Sequence, residues 1–249
     1  MDDEKEKYVF PEFDFAQGEV LLIDKPYEWT SFDVVSKIRN SLKPLKLKVG
    51  HAGTLDPLAT GLLIVCTGKR TKTIDELQAQ EKEYTGTFML GASTPSYDLE
   101  TEPDYFFDIA HITEQDLHNA CKQFIGALDQ YPPAHSAVKV QGERLYEKAR
   151  RGESVELKTR KVTIFELELT RIALPEVDFR VVCSKGTYIR SLAHDFGKAV
   201  GAGAYLRSLR RTRSGSFHVK NAWDVLALAN HIRLLKEKGL LLHKEKEHS

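Results

Sequence analysis

The stretch Val49 to Thr71, V-G-H-A-G-T-L-D-P-L-A-T-G-L-L-I-V-C-T-G-K-R-T, sets one carboxylate, Asp56, in surroundings suited to chemistry. Pro57 disfavours helical dihedrals for the residue before it, so Asp56 belongs to an extended or turn segment. Gly50, Gly53 and Gly61 bracket it with backbone that can turn tightly and admit a ligand closely. Leu62 to Cys66 follows as an apolar, β-leaning run short enough for a buried strand. A loop carboxylate braced by a core strand can be aimed, as a catalytic group must be. Asp-Pro also starts ordinary turns, and His51 has an equally plain reading as a loop histidine, so this stretch alone leaves turn and site open.

Other chemistries find less support. The nine histidines are scattered, with no H-E-x-x-H and no Cys/His cluster, so no metal is expected. Neither G-x-G-x-x-G after a strand nor G-x-x-x-x-G-K-[ST] occurs, so no nucleotide cofactor is expected. Lys plus Arg equals Asp plus Glu at 36 each, and any attraction for nucleic acid must therefore be local. Four basic clusters offer it: Lys69-Arg70-Lys72, Lys148-Arg150-Arg151, Lys158-Arg160-Lys161 and Arg207 to Arg213. Each by itself reads as a solvated face, whereas four that converged would contact phosphates.

The elements that must position these residues can be read in order. Met1 to Gln17 is charged and aromatic-spotted and reads as a flexible extension. Glu19 to Asp24 is a strand, and Ser31 caps a helix carrying Phe32, Val35, Ile38 and Leu42, stopped by Pro44. After the Leu62 to Thr67 strand, a basic turn leads into a helix through Ile74 and Leu77. Glu83 to Leu90 alternates, with Tyr84, Gly86, Phe88 and Leu90 on one face. Thr94 to Pro103 is a polar loop containing Asp98, and Thr113 with Asp116 opens a helix through a capping box. Gly126 to Val140 reads as loops around short strands, and Gly142 to Arg151 as a helix closed by Gly152. Strands follow at Val162 to Leu169 and Val177 to Cys183, then a strand-to-helix passage, Ser184 to Asp195, whose helix holds Tyr188 and Arg190 in its first turn. Ala204 to Arg213 is a basic strand, and two short helices, near Trp223 to Ala229 and His231 to Lys238, precede a charged tail. Elements mixed without regular βαβ alternation favour an α+β domain with a largely antiparallel sheet.

Three dispersed cysteines, Cys66, Cys121 and Cys183, suit a reducing compartment. The acidic N-terminus shows no secretory signal, and no apolar run approaches the roughly 20 residues of a membrane span. The expectation is a cytoplasmic protein with no membrane partner.

Gly50 to Leu63, G-H-A-G-T-L-D-P-L-A-T-G-L-L, closely resembles the catalytic motif of the TruB-type tRNA pseudouridine synthases. Four further stretches are similar to that family's motifs, in its order. They are Leu22-Ile23-Asp24-Lys25-Pro26 with Thr30-Ser31, then Lys82-Glu83-Tyr84, then Pro132-Pro133 through Arg150, and Cys183 to Arg190. The resemblance runs from about Glu19 to Trp223. It implies a pseudouridine-synthase-like fold, a mixed, largely antiparallel central sheet flanked by helices and loops, with an inserted subregion at about 104–160. It implies one catalytic domain over 18–239, between an extension at 1–17 and a tail at 240–249. The implied activity is isomerisation of uridine 55 to pseudouridine in the T-arm of tRNA, without metal or organic cofactor.

By the same resemblance Asp56 is the nucleophile, Tyr84 stacks on the target base and handles a proton, and Arg190 pairs with the aspartate. His51 takes part in flipping the nucleotide, Tyr188 and Leu209 line the pocket, and Asp98 and Lys25 join the substrate-binding set. Lys69, Arg70, Arg150, Arg207, Arg210 and Arg211 are the candidates for RNA-backbone contact. The loop keeps Thr94 and Asp98 but departs from many members at Pro95 and at Thr101, where they carry an acidic residue and a glycine. About twenty-five residues follow Trp223, too few for the C-terminal PUA-type domain of many relatives, so the expectation is a stand-alone bacterial-type enzyme, monomeric and without an obligate protein partner.

Physical reasoning agrees with these roles. A nearby arginine favours the charged form of a nucleophilic carboxylate. Extruding a base costs a few kcal/mol, and one aromatic stacking partner returns about 1–3 kcal/mol. A free uracil must then rotate without escaping, which calls for a closed apolar pocket. Two other functions stay open at this level: a tRNA folding factor with incidental catalysis, and an aspartate-dependent nucleosidase, which would release the base.

Overall fold

The computed structural model describes residues 13–15, 17–133 and 158–239, together with the strand backbones at 139–140 and 143–144. The strands are β1 Val20–Lys25, β2 Val49–His51, β3 Ala59–Thr67, β4 Lys82–Leu90, β5 Ala92–Ser93, β6 Tyr105–Phe106, β7 Gly126–Gln130, β8 Lys139–Val140, β9 Glu143–Arg144, β10 Arg160–Ala173, β11 Glu176–Cys183, β12 Ala204–Ser214, β13 Phe217–His218 and β14 Trp223–Asp224. The helices are α1 Ser31–Ser41, α2 Ile74–Ala79, α3 Glu114–Gln123, α4 Ile189–Ala199 and α5 Val225–Glu237.

One large sheet organises the molecule in the order β14-β1-β3-β12-β4-β11-β10-β7, with β2 added to β3 and β13 to β12. Its pairings are antiparallel except β1 with β14 and β12 with β3. This is the α+β, largely antiparallel architecture that the sequence pattern favours. Alternation explains the faces: Tyr84, Phe88 and Leu90 of β4 are buried while Thr85 and Thr87 are only partly so. Phe88 stacks on Phe179 of β11 at 4.0 Å between centroids and on Phe196 of α4 at 5.1 Å, so α4 is packed against the middle of the sheet.

Several elements differ from their sequence expectation. Helix α1 is capped by Thr30, whose hydroxyl and the Asp33 carboxylate form a reciprocal capping box, so Ser31 is the first helical residue instead. The helix thus starts one residue earlier, and Phe32 faces outward, 65% exposed, while Val34 lies inward beside Val35 and Ile38. The two expected terminal helices are the single α5, because nothing between Ala229 and Arg233 breaks it; Trp223–Asp224 instead pairs with β1, and Asp224 caps α5. Of the expected helix at Gly142 to Arg151, Glu143–Arg144 is strand paired with Lys139–Val140, and the rest lies outside the described residues. Phe13 and Phe15 do not fray: Phe15 is buried, and Phe13 meets His231 edge-on at 5.8 Å. No described helix is long and apolar enough to cross a membrane.

Candidate active site

Asp56 lies in the loop between β2 and β3, and the residues on either side of it are held by the segment joining β1 to α1. The Ser31 hydroxyl accepts the Leu55 N–H at 2.9 Å and reaches the Leu55 carbonyl at 3.2 Å. Pro57 offers its carbonyl to the Glu28 N–H at 3.0 Å and to the Lys25 ammonium at 3.1 Å. A carboxylate fixed at both neighbouring peptides has little freedom to swing. Its side chain is nevertheless 36% exposed, so a ligand can reach it.

Arg190 comes to Asp56 from the first turn of α4. Its Nε stands 3.0 Å from one carboxylate oxygen and an Nη donates to the other at 3.2 Å, a forked pair with a guanidinium only 5% exposed. The same guanidinium lies 3.6 Å from Asp98 and 3.4 Å from the Ser96 carbonyl, which ties the 94–103 loop to the site. Burial raises the Asp56 carboxyl above its ordinary value. Arg190 opposes that rise, the charge of Asp98 adds to it, and Lys25 opposes it again.

Tyr84 and Arg211 are register partners on β4 and β12, with Leu209 two residues along on the same face. Tyr84 is 8% and Leu209 9% exposed. Burial raises the Tyr84 phenol, and the Arg211 guanidinium hydrogen-bonded to it works against the rise. His51, at the end of β2, is lowered by burial and by the charge of Arg211 and is neutral at pH 7; its Nδ1 is buried without a hydrogen-bond partner among the described residues. Tyr188 occupies the N-cap position of α4 under the Arg160 guanidinium, 5.7 Å from the ring centroid.

Two basic residues are placed otherwise than expected. Arg211 is 2% exposed and points inward, donating to the Leu62 carbonyl at 2.6 Å and to the Gly53 carbonyl at 3.1 Å, so it does not face an RNA backbone. Strand alternation sends every second residue of a basic strand inside, and Arg211 shares the inward parity of Leu209. Lys25, expected to bind substrate, is fully buried, and its ammonium is taken up by the carbonyls of Pro26, Trp29 and Pro57. Burial lowers it to about 8, and Asp56 partly restores it.

Of the remaining basic candidates, Arg207 and Arg210 line one pocket together with Leu58 and Leu209, whereas Lys69 and Arg70 lie apart from it. Arg207, half exposed, pairs with Glu176 at 3.0 Å, and Arg210 pairs with Asp24 at 2.6 Å on the face opposite Tyr84. Lys69 and Arg70 are exposed just beyond the far end of β3, with Lys69 donating to Gln17 at 2.7 Å. Eight residue steps at 3.3 Å put them about 26 Å along the strand from Ala59, where the Asp56 loop enters β3. Arg150 lies outside the described residues.

Two frame residues are absent from the sequence-derived site. Ser31 announces itself as a capping type but works through Leu55. Gln130 carries no sequence signal, although its side chain bonds both ways to the Tyr188 backbone. Among the described residues no group of three or more His, Cys, Asp or Glu is placed to hold a metal ion. What the arrangement offers is an arginine-paired carboxylate, open to a ligand, near a buried tyrosine and an apolar wall.

Residues 39–189 match the model of the TruB family pseudouridylate synthase N-terminal domain, and residues 190–243 match that of the tRNA pseudouridylate synthase B C-terminal domain. The chain is 62% identical over 217 residues to tRNA pseudouridine synthase B of Flavobacterium johnsoniae, covering 85% of this chain and 95% of that protein. It is 56% identical over 206 residues to the protein of that name from Parabacteroides distasonis, covering 81% and 88%. A solved Cbf5-Nop10-Gar1 complex contains a chain 32% identical with a TM-score of 0.68, and the match covers 88% of this chain but only 56% of that one. On these matches the chain belongs to the TruB family of pseudouridylate synthases.

Proposed function

We propose that this chain converts uridine 55 of the tRNA T-arm to pseudouridine, with Asp56 as the nucleophile and without a cofactor. The observation that carries the reading is the partly exposed Asp56 carboxylate forked by Arg190 in a chain whose relatives are named tRNA pseudouridine synthase B. The catalytic unit is residues 18–239, acting as a monomer in the cytoplasm.

The target uridine leaves its stack and enters the fold, because Tyr84, its stacking partner, is itself almost wholly buried. His51 lies at the entrance to the loop, and Tyr188 and Leu209 flank the base. One Asp56 oxygen bonds to C1′ as the C1′–N1 electron pair passes to the uracil, or the carboxylate takes the C2′ proton to give a glycal. The uracil turns within the pocket, and C5 bonds to C1′ as the Asp56–C1′ bond breaks or, on the glycal route, as the proton taken from C2′ is returned there. The C5 proton is then lost and N1 takes up a proton. Atoms and electrons balance within substrate and carboxylate, so the isomerisation calls for no redox partner and no group donor.

The test is tritium release from tRNA labelled at C5 of uridine, comparing the native chain with Asp56→Asn and mapping the modified position. Release that depends on Asp56 and maps to uridine 55 is expected, with tRNA affinity within a few-fold in the variant. Full release by Asp56→Asn removes the nucleophile assignment, and free uracil among the products would indicate a nucleosidase.

A further inference from the structure

Gln130 closes β7 and is 3% exposed. Its amide nitrogen donates to the Tyr188 carbonyl at 2.9 Å, and its amide oxygen accepts the Tyr188 N–H at 2.7 Å. The backbone groups that begin a helix need partners from outside it, and the N-cap side chain at Tyr188 supplies none to α4. Beyond this pair, the Ser191 hydroxyl donates to the Tyr131 carbonyl at 2.7 Å. Arg190 sits between these two anchors, and its guanidinium makes the fork on Asp56.

We propose that Gln130 is a positioning residue for Arg190: it holds the Tyr188 backbone by both its N–H and its carbonyl, and thereby sets where the arginine meets Asp56. A carboxamide carries its donor and its acceptor on separate atoms of one planar group, so it can hold an N–H and a carbonyl at once, and asparagine is one carbon shorter. The bearing on turnover rests on the isomerase reading above. The bearing on the Asp56–Arg190 pair does not.

Two readouts on the full chain separate these. The Asp56 carboxyl is titrated by 13C NMR, and tritium release from C5-labelled tRNA gives kcat and KM, in the native chain, Gln130→Ala and the near-isosteric Gln130→Met. Both variants are expected to raise the Asp56 midpoint, because a displaced guanidinium opposes protonation less. They are expected to lower kcat about 10- to 100-fold, as misplacement on the ångström scale does, with KM within about threefold. Should Gln130→Ala fail to fold, Gln130→Met, which keeps the volume, carries both readouts. An unchanged midpoint overturns the proposal, and so does a loss confined to KM; a shifted midpoint with unchanged kcat overturns the part in turnover. A native chain that releases no tritium removes the isomerase reading, while the midpoint still decides the positioning.

Discussion

Asp56 must be ionised to act as a nucleophile, and its neighbours pull that ionisation in opposite directions. Burial and Asp98 favour the protonated form, whereas Arg190 and Lys25 favour the carboxylate. The net rise puts the acid limb of kcat/KM above the ordinary carboxylate value of about 4, with activity lost as pH falls through the Asp56 midpoint. Asp98→Asn removes a like charge while leaving an oxygen to accept the Glu100 N–H, so the limb is expected to move to lower pH. A pH series of tritium release checks this, and a limb that stays or moves upward contradicts it. The pairing of Arg190 with Asp56 was legible only through the family resemblance, since the two residues lie 134 positions apart and the Asp56 stretch alone reads equally as a turn. Lys25 and Arg211 were misplaced for a physical reason: residue type says they are charged, but a buried cation is defined by the carbonyls around it, and those come from segments distant in sequence.

The element that sets the spacing of the site is the parallel contact of β3 with β12, where Leu209 faces Ala59 and Arg211 faces Gly61. Gly61 has φ +98°, and a Cβ there would lie 2.3 Å from the Arg211 carbonyl oxygen. Gly61→Ala therefore strains the backbone and pushes apart the two strands that carry the Asp56 loop and Leu209. The expected cost is about 1–3 kcal/mol in urea unfolding, accompanied by a fall in kcat. A variant with native stability and turnover would show that the strands separate freely. Strands were read well in the sequence because alternation is a local pattern. Helix starts were read less well, since Thr30 and Ser31 are both capping types and only the Asp33 partner decides between them. The unity of α5 was missed although Val225, Leu228, His231, Ile232 and Leu235 form one buried stripe at helical spacing across the whole stretch.

At the scale of the molecule, equal numbers of acidic and basic residues mean that RNA is held by local patches. The fold divides those patches. Arg207 stands near Leu209 and is already paired with Glu176, so engaging a phosphate means exchanging one anion for another. Lys69 and Arg70 lie about 26 Å along β3 from Ala59, next to Asp56, and reach only an RNA that extends beyond its flipped base toward the His51 end of the strand. The paired variant Lys69→Ala/Arg70→Ala is therefore expected to weaken binding of full-length tRNA, with the slope of log K against log salt shallower by about 1.4–1.8 if both contact phosphates. It is expected to leave kcat/KM on an isolated T-arm hairpin within about twofold, because the shorter RNA ends before the patch. Binding titrations of the two RNAs across a salt series check both halves. Equal losses on both would bring the patch within reach of the T-arm, and no loss on either would return Lys69 and Arg70 to the ordinary solvated surface that each basic cluster resembles when read alone.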